Sequence, residues 1–457
     1  MENDNTPNNR HQTEQPGNPS RRDFLKTLGV AGATTAVGTG SLSQAGPARA
    51  DIKTNARIVI VGGGAGGITA AAKLVRWLDG ARITVIEPRQ IHRYQPGWVF
   101  VGAGIMDKEE TVAEKTRELL PEECELVQEP VAEFDPESNT VTTESGQAID
   151  YDYLIVATGC QLNYGDIEGL DRSMLGRDGL TSVYASADQA EAMWREMQRF
   201  VANGGEGIFT KPATPLKCAG APLKMAFLTE SHMVEAGTRD KGRILYNAPT
   251  EKLFGVPEIH DLVAKRFKQK SIDYEFNRVL RAVDAGRKEA TFDTPNGQET
   301  LPYDFLHVVP PMSAPDAVRH SDLAWQDGPF AEGGWLEVDQ HTLQHKRYPN
   351  VFGAGDVNGV PRGKTAASVK FQAPIAAQHI VNLIEDKPFE ESYNGYTSCP
   401  LVTGLGKAAL VEFNYQGELI PSIPFADPTD DSWLWWLMDL YLIKPYYFQM
   451  LKGRIPA

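Results

Sequence analysis

Hydrophobic positions near the front of the chain predict a strand, a helix and a second strand in close succession. Residues 57–61, with the sequence RIVIV, form a short β-branched run that is typical of a buried parallel strand. Apolar residues then follow helical spacing over residues 68–78, and residues 82–87 form a second strand-like run. This order predicts a βαβ unit in an α/β fold.

A glycine-rich turn joins the first predicted strand to the helix. Gly62, Gly64 and Gly67 have the spacing G-x-G-x-x-G, and Glu87 ends the second strand. Glycine lets the backbone approach a pyrophosphate, the helix N-terminus faces its charge, and Glu87 can accept hydrogen bonds from ribose hydroxyls. A bare glycine triplet would be weak, but in this full context it predicts a dinucleotide site.

Two later strand ends favour FAD over NAD as the nucleotide. Residues 151–159 (YDYLIVATG) end at Thr158 and Gly159, and residues 348–356 (YPNVFGAGD) end at Asp356. Together with the glycine turn, these segments resemble the flavoprotein disulfide-reductase superfamily. The resemblance implies that Asp356 holds the flavin ribityl chain and that Thr158 and Gly159 lie along the flavin. Since Asp356 is far from Glu87 in sequence, the FAD domain must be split around an insertion.

We therefore expect an α/β protein with two Rossmann-like domains of the FAD/NAD(P)-binding type. A C-terminal hairpin and an amphipathic helical tail in contact with a membrane would follow them. The predicted divisions are a signal peptide at 1–50, an FAD-binding domain at 51–165 and 325–390, a second Rossmann-like domain lacking an NAD site at 166–324, and a C-terminal redox-cysteine region at 391–457.

The second predicted nucleotide fold carries a cysteine where a phosphate-binding turn is expected. Residues 211–222 (KPATPLKCAGAP) follow a predicted strand at 207–210 and precede a predicted helix at 223–233. Proline has no N–H, so this loop is a poor cradle for pyrophosphate, and NADH is disfavoured as the electron donor. Near the helix N-terminus, the dipole and Lys217 would favour a thiolate at Cys218. A small buried cysteine is the alternative.

The other cysteines are scattered, and no CxxC spacing exists, so no metal site is expected. Cys399 falls in a turn-rich segment at 393–404, interpreted as a loop, and short antiparallel strands are predicted at 401–413 and 417–424. Cys124 is interpreted as a surface residue and Cys160 as a packing residue next to the flavin.

Three longer motifs resemble sulfide:quinone oxidoreductases, in particular those of the mitochondrial type. They are TPLKCAGAP at 214–222, LHVVPPMSAPD at 306–316 and YTSCPLVTG at 396–404, and the likeness extends from about residue 57 to the tail. The resemblance implies that Cys218 and Cys399 face the flavin and carry the sulfur being oxidised. It also implies that electrons pass from sulfide through FAD to a membrane quinone.

By this resemblance, hydrosulfide attacks a sulfur link between the two cysteines, in a thiol–disulfide exchange. Cys399 is then assigned as the flavin-facing thiolate and Cys218 as the persulfide carrier. The sulfane acceptor stays open, although export makes free sulfide and polysulfide plausible. Residues 363–367 begin a helix whose N-terminus can face the flavin, and Lys364 is a candidate for stabilising reduced flavin or protonating quinone. A solvated lysine is the equal alternative.

Aromatic residues dominate the tail over residues 433–448, with Lys444 among them. No apolar run reaches the roughly 20 residues that a spanning helix needs. The composition predicts a helix lying in the membrane interface. A helix packed on the protein or a dimer contact are the alternatives, and a homo-oligomer stays open.

The net charge of the chain and its N-terminal segment limit the possible binding partners and the possible location of the protein. A formal net charge of −15 makes the chain a poor nucleic-acid binder. Residues 20–26 (SRRDFLK), a mildly apolar stretch and ARA at 48–50 predict twin-arginine export, with a chance arginine pair as the alternative. The expected location is the periplasm, on the outer face of the inner membrane.

Three other functions compete with this interpretation. A flavin subunit of flavocytochrome c sulfide dehydrogenase would pass electrons to a haem partner, since the chain has no C-x-x-C-H of its own. A type II NADH dehydrogenase would need the second glycine fingerprint. A non-catalytic flavin-binding or sulfur-carrier protein would not have its flavin reduced by sulfide.

Overall fold

The computed structural model of the chain describes residues 52–424 and 426–455. The predicted signal peptide at residues 1–50 lies outside the described residues. The first predicted strand matches Arg57–Val61, and the helix that follows spans Ala65–Trp77, beginning directly after the Gly64 N-cap.

A five-stranded parallel sheet forms the core of the front region. Its strands lie in the order Val351–Gly353, Tyr153–Val156, Arg57–Val61, Arg82–Ile86 and Glu125–Val127. Helices Ala65–Trp77 and Ala366–Ile384 contact each other and share one apolar cluster with the sheet. The sheet therefore combines strands from both segments of the predicted split domain, whose boundaries stay a prediction.

A second five-stranded parallel sheet forms the middle region. Its order is Leu180–Thr181, Phe305–His307, Gly205–Thr210, Gly242–Asn247 and Asp273–Glu275. The long helices of this region are Ala187–Asn203, Ala221–Glu235 and Pro257–Gln269. Two parallel sheets with helical connections confirm the predicted α/β class with two Rossmann-like units.

Smaller elements surround the two sheets. Antiparallel three-stranded sheets are Val131–Asp135, Thr140–Thr143, Ala148–Asp150 and Val279–Asp284, Glu289–Thr294, Gly297–Pro302. Paired short strands are Ile52–Lys53 with Leu78–Asp79, Ile91–Arg93 with Val112–Lys115, and Gln161–Leu162 with Met312–Ser313. Short helices are Gln95–Gly97, Trp98–Gly102, Lys108–Thr111, Thr116–Leu119, Tyr164–Asp166, Arg172–Met174, Arg239–Lys241 and Asp316–Arg319.

The C-terminal hairpin begins earlier than predicted. Its strands are Thr397–Gly404 and Lys407–Phe413, paired antiparallel with Cys399 opposite Val411. The prediction of one strand over residues 401–413 was wrong because the turn lies inside that range, and residues 417–424 form no strand. Cys399 therefore lies in a strand and not on a loop, and its side chain is buried.

The tail is helical and changes its geometry in the middle. Two α-helices, Trp433–Leu437 and Ile443–Leu451, flank a π-helical stretch at Met438–Leu442. One face packs on the protein through buried side chains that include Trp436, Leu437 and Leu451. The other face exposes Trp433, Leu434, Leu442 and Tyr446. Across residues 52–424 and 426–455, no helix combines the length and apolarity required to cross a bilayer.

Candidate active site

One cavity of about 1170 Å³ collects most of the predicted site residues. The glycine turn, the ends of the front strands, the loop of Cys218, the strand of Cys399 and the tail all contribute to its wall. The predicted residues that line it are Gly64, Glu87, Thr158, Gly159, Cys218, Asp356, Lys364 and Cys399. Gly62 and Gly67 are not in the wall.

The three predicted glycines have different tasks in the turn. Gly62 has a φ of +109°, and a Cβ there would lie 2.3 Å from the Ala157 carbonyl oxygen. A Cβ on Gly67 would lie 1.8 Å from the Gly62 carbonyl oxygen. Gly64 is different, because within the described part of the chain its added Cβ would meet only Arg89 Nη2, at 4.0 Å, and Gly64 borders the cavity. Gly62 and Gly67 permit the fold of the turn, whereas Gly64 leaves room for a ligand.

Glu87 is a buried carboxylate that an arginine holds in its ionised form. Its Oε2 accepts a hydrogen bond from the Gly63 amide at 2.7 Å, and its Oε1 accepts from Arg89 Nε at 2.7 Å. Burial alone would raise the pKa of Glu87, but the hydrogen bond and charge of Arg89 bring that pKa below its usual value. Sequence reasoning missed Arg89, although a basic residue two positions after the acid was a visible signal.

The wall near the front strand ends suits a polar ligand. Among the described residues, Thr158 Oγ1 is buried without a hydrogen-bond partner, and an added Cβ on Gly159 would meet nothing within 4 Å. Burial raises the pKa of Asp356, against the opposing charges of Lys217 and Lys364. This part of the wall combines a hydroxyl without a partner, free space beside a glycine and a buried carboxylate. These features suit a large polar ligand such as a flavin nucleotide.

Lys364 is buried and not solvated, so the solvated-lysine alternative was wrong. Its Nζ donates to the carbonyl oxygens of Asp356 at 2.6 Å and Asn358 at 2.8 Å, and lies 3.5 Å from the centroid of the Trp335 ring. Burial lowers the pKa of Lys364 to about 8. Because two carbonyls and the ring face its ammonium, Lys364 fixes the Asp356 turn, and its predicted action on flavin or quinone stays a prediction.

The loop of Cys218 is fixed at several points. Cys218 has a φ of +47°, which is rare for a residue with a side chain. Its amide donates to the Lys364 carbonyl oxygen at 3.0 Å, and its carbonyl oxygen accepts from the Tyr184 hydroxyl at 2.9 Å. The helix Ala221–Glu235 begins just after this loop, as predicted for a thiolate near a helix N-terminus.

Cys399 lies in the first strand of the C-terminal hairpin, which packs against the loop of Cys218. An added Cβ on Gly220 would lie 2.4 Å from Cys399 Sγ, so this glycine leaves the space that the sulfur fills. The two cysteines are free thiols and border the same cavity. The structure therefore brings together the two cysteines that the sequence singled out. Gly220 was not recognised from the sequence.

The two thiols share one proton. The hydrogen bond with Cys399 lowers the pKa of Cys218 to about 6, although burial opposes this, and the charge of Lys224 lowers it further. The same hydrogen bond, together with burial, raises the pKa of Cys399. The negative charge of the reduced pair thus rests on Cys218. The assignment of Cys399 as the flavin-facing thiolate stays a prediction.

Burial favours the neutral thiol at the other two cysteines. Cys160 borders the cavity, and burial raises its pKa to about 11, with Asp356 adding to the effect. Cys124 belongs to the front apolar cluster, so the interpretation of a surface position was wrong. Burial raises the pKa of Cys124 to about 12.

Comparison with known proteins defines the class and then the family. The family model described as pyridine nucleotide-disulphide oxidoreductase matches residues 56–373, so the chain is an oxidoreductase of this flavin-dependent class. A mitochondrial sulfide:quinone oxidoreductase of Dictyostelium discoideum is 37% identical over 95% of this chain and 96% of its own length. The mouse mitochondrial relative is 36% identical over 89% of this chain and 90% of its own. The chain belongs to the sulfide:quinone oxidoreductase family.

A solved structure bears on the fold, and a second family model bears on export. The crystal structure of the sulfide:quinone oxidoreductase from Aquifex aeolicus has a TM-score of 0.73 and 24% identity, covering 88% of this chain and 93% of that chain. The fold is thus shared. The model for twin-arginine translocation signals matches residues 18–38, and the chain therefore carries an export signal.

Replacement of Gly64 should separate ligand binding from folding. Gly64→Val places its side chain in the cavity, so flavin content should fall about tenfold or more, since each 1.4 kcal/mol of lost binding is a factor of ten. Gly165→Val is the matched control, because an added Cβ there meets nothing within 4 Å among the described residues and Gly165 is outside the cavity wall. Visible absorbance per folded protein measures the effect. A flavin-loaded Gly64→Val protein would contradict the placement.

The pKa of Cys218 predicts a pH profile for alkylation. Because its pKa is lowered to about 6, the thiolate is present above that pH, and iodoacetamide labelling of the reduced protein should be half-maximal there. Cys399→Ala removes the hydrogen-bond donor and should move the midpoint upward by about one pH unit or more. Peptide mass spectrometry across pH measures both, with Cys124 as the unlabelled reference. An unchanged midpoint would refute the shared-proton pair.

Proposed function

We propose that this chain is an FAD-dependent sulfide:quinone oxidoreductase that converts sulfide to sulfane sulfur or polysulfide at Cys218 and Cys399. The observation that carries the proposal is the meeting of both cysteines in the cavity that also contains the glycine turn. The family relatives support sulfide as the electron source and quinone as the acceptor.

The sulfur step uses the cysteine pair in its oxidised, linked form. Hydrosulfide attacks one cysteine sulfur, a new S–S bond forms there, and the bond between the cysteines breaks. The attacked cysteine keeps a persulfide, and the other leaves as a thiolate with the electron pair. Following the assignment made from sequence, Cys218 is the attacked sulfur that keeps the persulfide, and Cys399 is the leaving thiolate.

The front wall of the cavity would hold the FAD. The turn at Gly62–Gly67 would face the pyrophosphate of FAD, and Glu87 would face its ribose. The flavin end would lie against Thr158, Gly159, Asp356 and Lys364. FAD supplies two-electron redox chemistry when it is bound. Pro212 and Pro215 remove amides from the loop that would otherwise bind NADH, which disfavours the NADH dehydrogenase alternative.

Quinone would enter where the cavity meets the tail. Leu442 and Tyr446 border the cavity and are also exposed, so the opening has an apolar rim. Trp433 and Leu434, in the first helix of the tail, are also exposed, with 49% and 44% of each residue accessible. An apolar patch of this kind suits the headgroup region of a bilayer, where quinones dissolve. These exposed apolar side chains favour a membrane quinone as the electron acceptor, over the haem partner of a flavocytochrome c sulfide dehydrogenase.

The twin-arginine signal is consistent with a flavoprotein that acts at the outer face of the inner membrane. The twin-arginine route carries folded proteins, so the cofactor can be inserted before the chain leaves the cytoplasm. The mature protein would then act in the periplasm, with its tail on the outer face of the inner membrane.

Loss of either cysteine tests the function directly. Cys218→Ser and Cys399→Ser should each lower sulfide-driven bleaching of the flavin at least about a hundredfold, because a single thiol cannot form the exchanging link. Anaerobic absorbance after sulfide addition, followed by a soluble quinone, measures reduction and reoxidation. Cys124→Ala should keep both flavin reduction by sulfide and reoxidation by quinone. NADH should not reduce the flavin of any of these proteins. Normal reduction in either serine variant would disprove the mechanism.

Polar replacement on the outer face of the tail tests membrane contact. The double variant Trp433→Gln, Leu434→Gln should bind anionic vesicles about tenfold more weakly or worse, because each apolar side chain contributes roughly 1.5–3 kcal/mol when buried. Val234→Gln is the control, since Val234 is 54% exposed but lies on a different helix. Vesicle cosedimentation measures binding, and flavin reduction by sulfide should not change. Equal binding of all three proteins would reject the contact.

A further inference from the structure

A buried ion pair borders the cavity beside the cysteines. Lys224 lies on the helix that follows Cys218, and Asp439 lies in the π-helical stretch of the tail. Lys224 Nζ is 4.0 Å from Asp439 Oδ2, and the two side chains are only 8% and 7% exposed. Both residues line the same cavity as Cys218 and Cys399. Sequence reasoning singled out neither of them.

The carboxylate of Asp439 has hydrogen-bonding capacity that the described residues do not use. Its Oδ2 is buried and has no hydrogen-bond partner among the described residues. A buried carboxylate oxygen without a partner is costly, so such a group usually has a ligand or a chemical role. π-Helical turns are also frequent at functional sites, and this one brings Asp439 toward the cavity.

We propose that Asp439 is the general base that removes a proton from dihydrogen sulfide, and that Lys224 holds the resulting hydrosulfide beside the cysteine pair. This inference rests on the proposed function and names the residues that prepare its substrate. Neutral dihydrogen sulfide enters a buried cavity more readily than an anion, because it loses less hydration on the way. The nucleophile, however, must be the anion.

The proposed steps balance in atoms and charge. Dihydrogen sulfide gives one proton to Asp439 Oδ2, which becomes a carboxylic acid, and hydrosulfide remains next to the Lys224 ammonium. Hydrosulfide then forms an S–S bond to one cysteine of the linked pair, and the other cysteine leaves as a thiolate with the electron pair of the broken bond. The proton on Asp439 returns to water in the cavity before the next turnover.

Electrostatics in the cluster agrees with this role. Burial raises the pKa of Asp439 to about 6, with Lys224 opposing the rise, so the group is a base at neutral pH and an acid below that value. Burial alone would lower the pKa of Lys224, but in the reduced pair Cys399, Asp439 and Cys218 raise it. In the linked pair the cysteine charges are absent, and Asp439 is the charged partner of the Lys224 ammonium. Tyr94 also faces Asp439, and burial raises its pKa well above the usual value, so it stays neutral.

The test compares wild type with Asp439→Asn, a variant of nearly equal shape, across pH. Stopped-flow absorbance measures flavin bleaching at fixed total sulfide. In wild type the rate should persist down to about pH 6, where Asp439 gains its proton. In Asp439→Asn only hydrosulfide from solution reacts, so the rate should fall about tenfold or more near pH 6, yet change little at alkaline pH. Asp430→Asn, an exposed aspartate in the preceding turn, is the matched control.

Three further measurements separate base catalysis from a structural role. Sulfite carries no proton at alkaline pH, so S-sulfonation of the oxidised pair, read by peptide mass spectrometry, should proceed in Asp439→Asn as in wild type. Asp439→Glu restores a carboxylate and should recover part of the rate near pH 6. Lys224→Met should raise the KM for sulfide about tenfold or more at every pH, since it removes the cation that holds the anion.

The outcomes distinguish this inference from the proposed function. A pH-specific loss in Asp439→Asn with normal sulfite reaction supports it. An unchanged profile, or an equal loss with sulfide and sulfite at every pH, overturns it. If sulfide fails to bleach the wild-type flavin at any pH, the proposed function itself fails.

Discussion

The packing of Cys399 Sγ on Gly220 is the contact that lets the two cysteines meet. A side chain at Gly220 would meet the sulfur at 2.4 Å, so only glycine lets the strand of Cys399 approach the loop of Cys218 this closely. The loop is held from the other side, where the Cys218 amide donates to the Lys364 carbonyl oxygen. Elements of the middle region, the front region and the hairpin therefore meet at one pair of thiols.

Buried charge is the second constraint, and each charged group has a compensating neighbour. Glu87 is paired with Arg89, Asp356 faces the charges of Lys217 and Lys364, and Lys224 faces the cysteine pair. Ionised groups in a poorly hydrated cavity are stable only when such partners exist. Asp439 is compensated least, because its ion-pair partner Lys224 lies 4.0 Å away and one carboxylate oxygen accepts no hydrogen bond within the described part of the chain.

The parts that could be predicted from sequence are those encoded locally. The strand at 57–61, the glycine turn and the acid at Glu87 form one continuous motif, so their place in the fold follows from spacing. Arg89 was within reach for the same reason. Lys224 and Asp439 could not be predicted, because only tertiary packing brings the tail against the helix after Cys218. The strand position of Cys399 was missed since its proline-containing, turn-rich surroundings are typical of loops.

The tail was predicted as an interfacial helix, and its structure shows why composition alone was insufficient. Roughly half of its apolar side chains pack on the protein, while Trp433, Leu434, Leu442 and Tyr446 face outward. A π-helical turn adds one residue per turn relative to an α-helix and so changes which side chains face inward. Here Asp439 and Leu442 belong to the same π stretch, one buried near Lys224 and the other on the exposed rim. One irregular turn therefore places a buried carboxylate and an exposed apolar side chain in the wall of the same cavity.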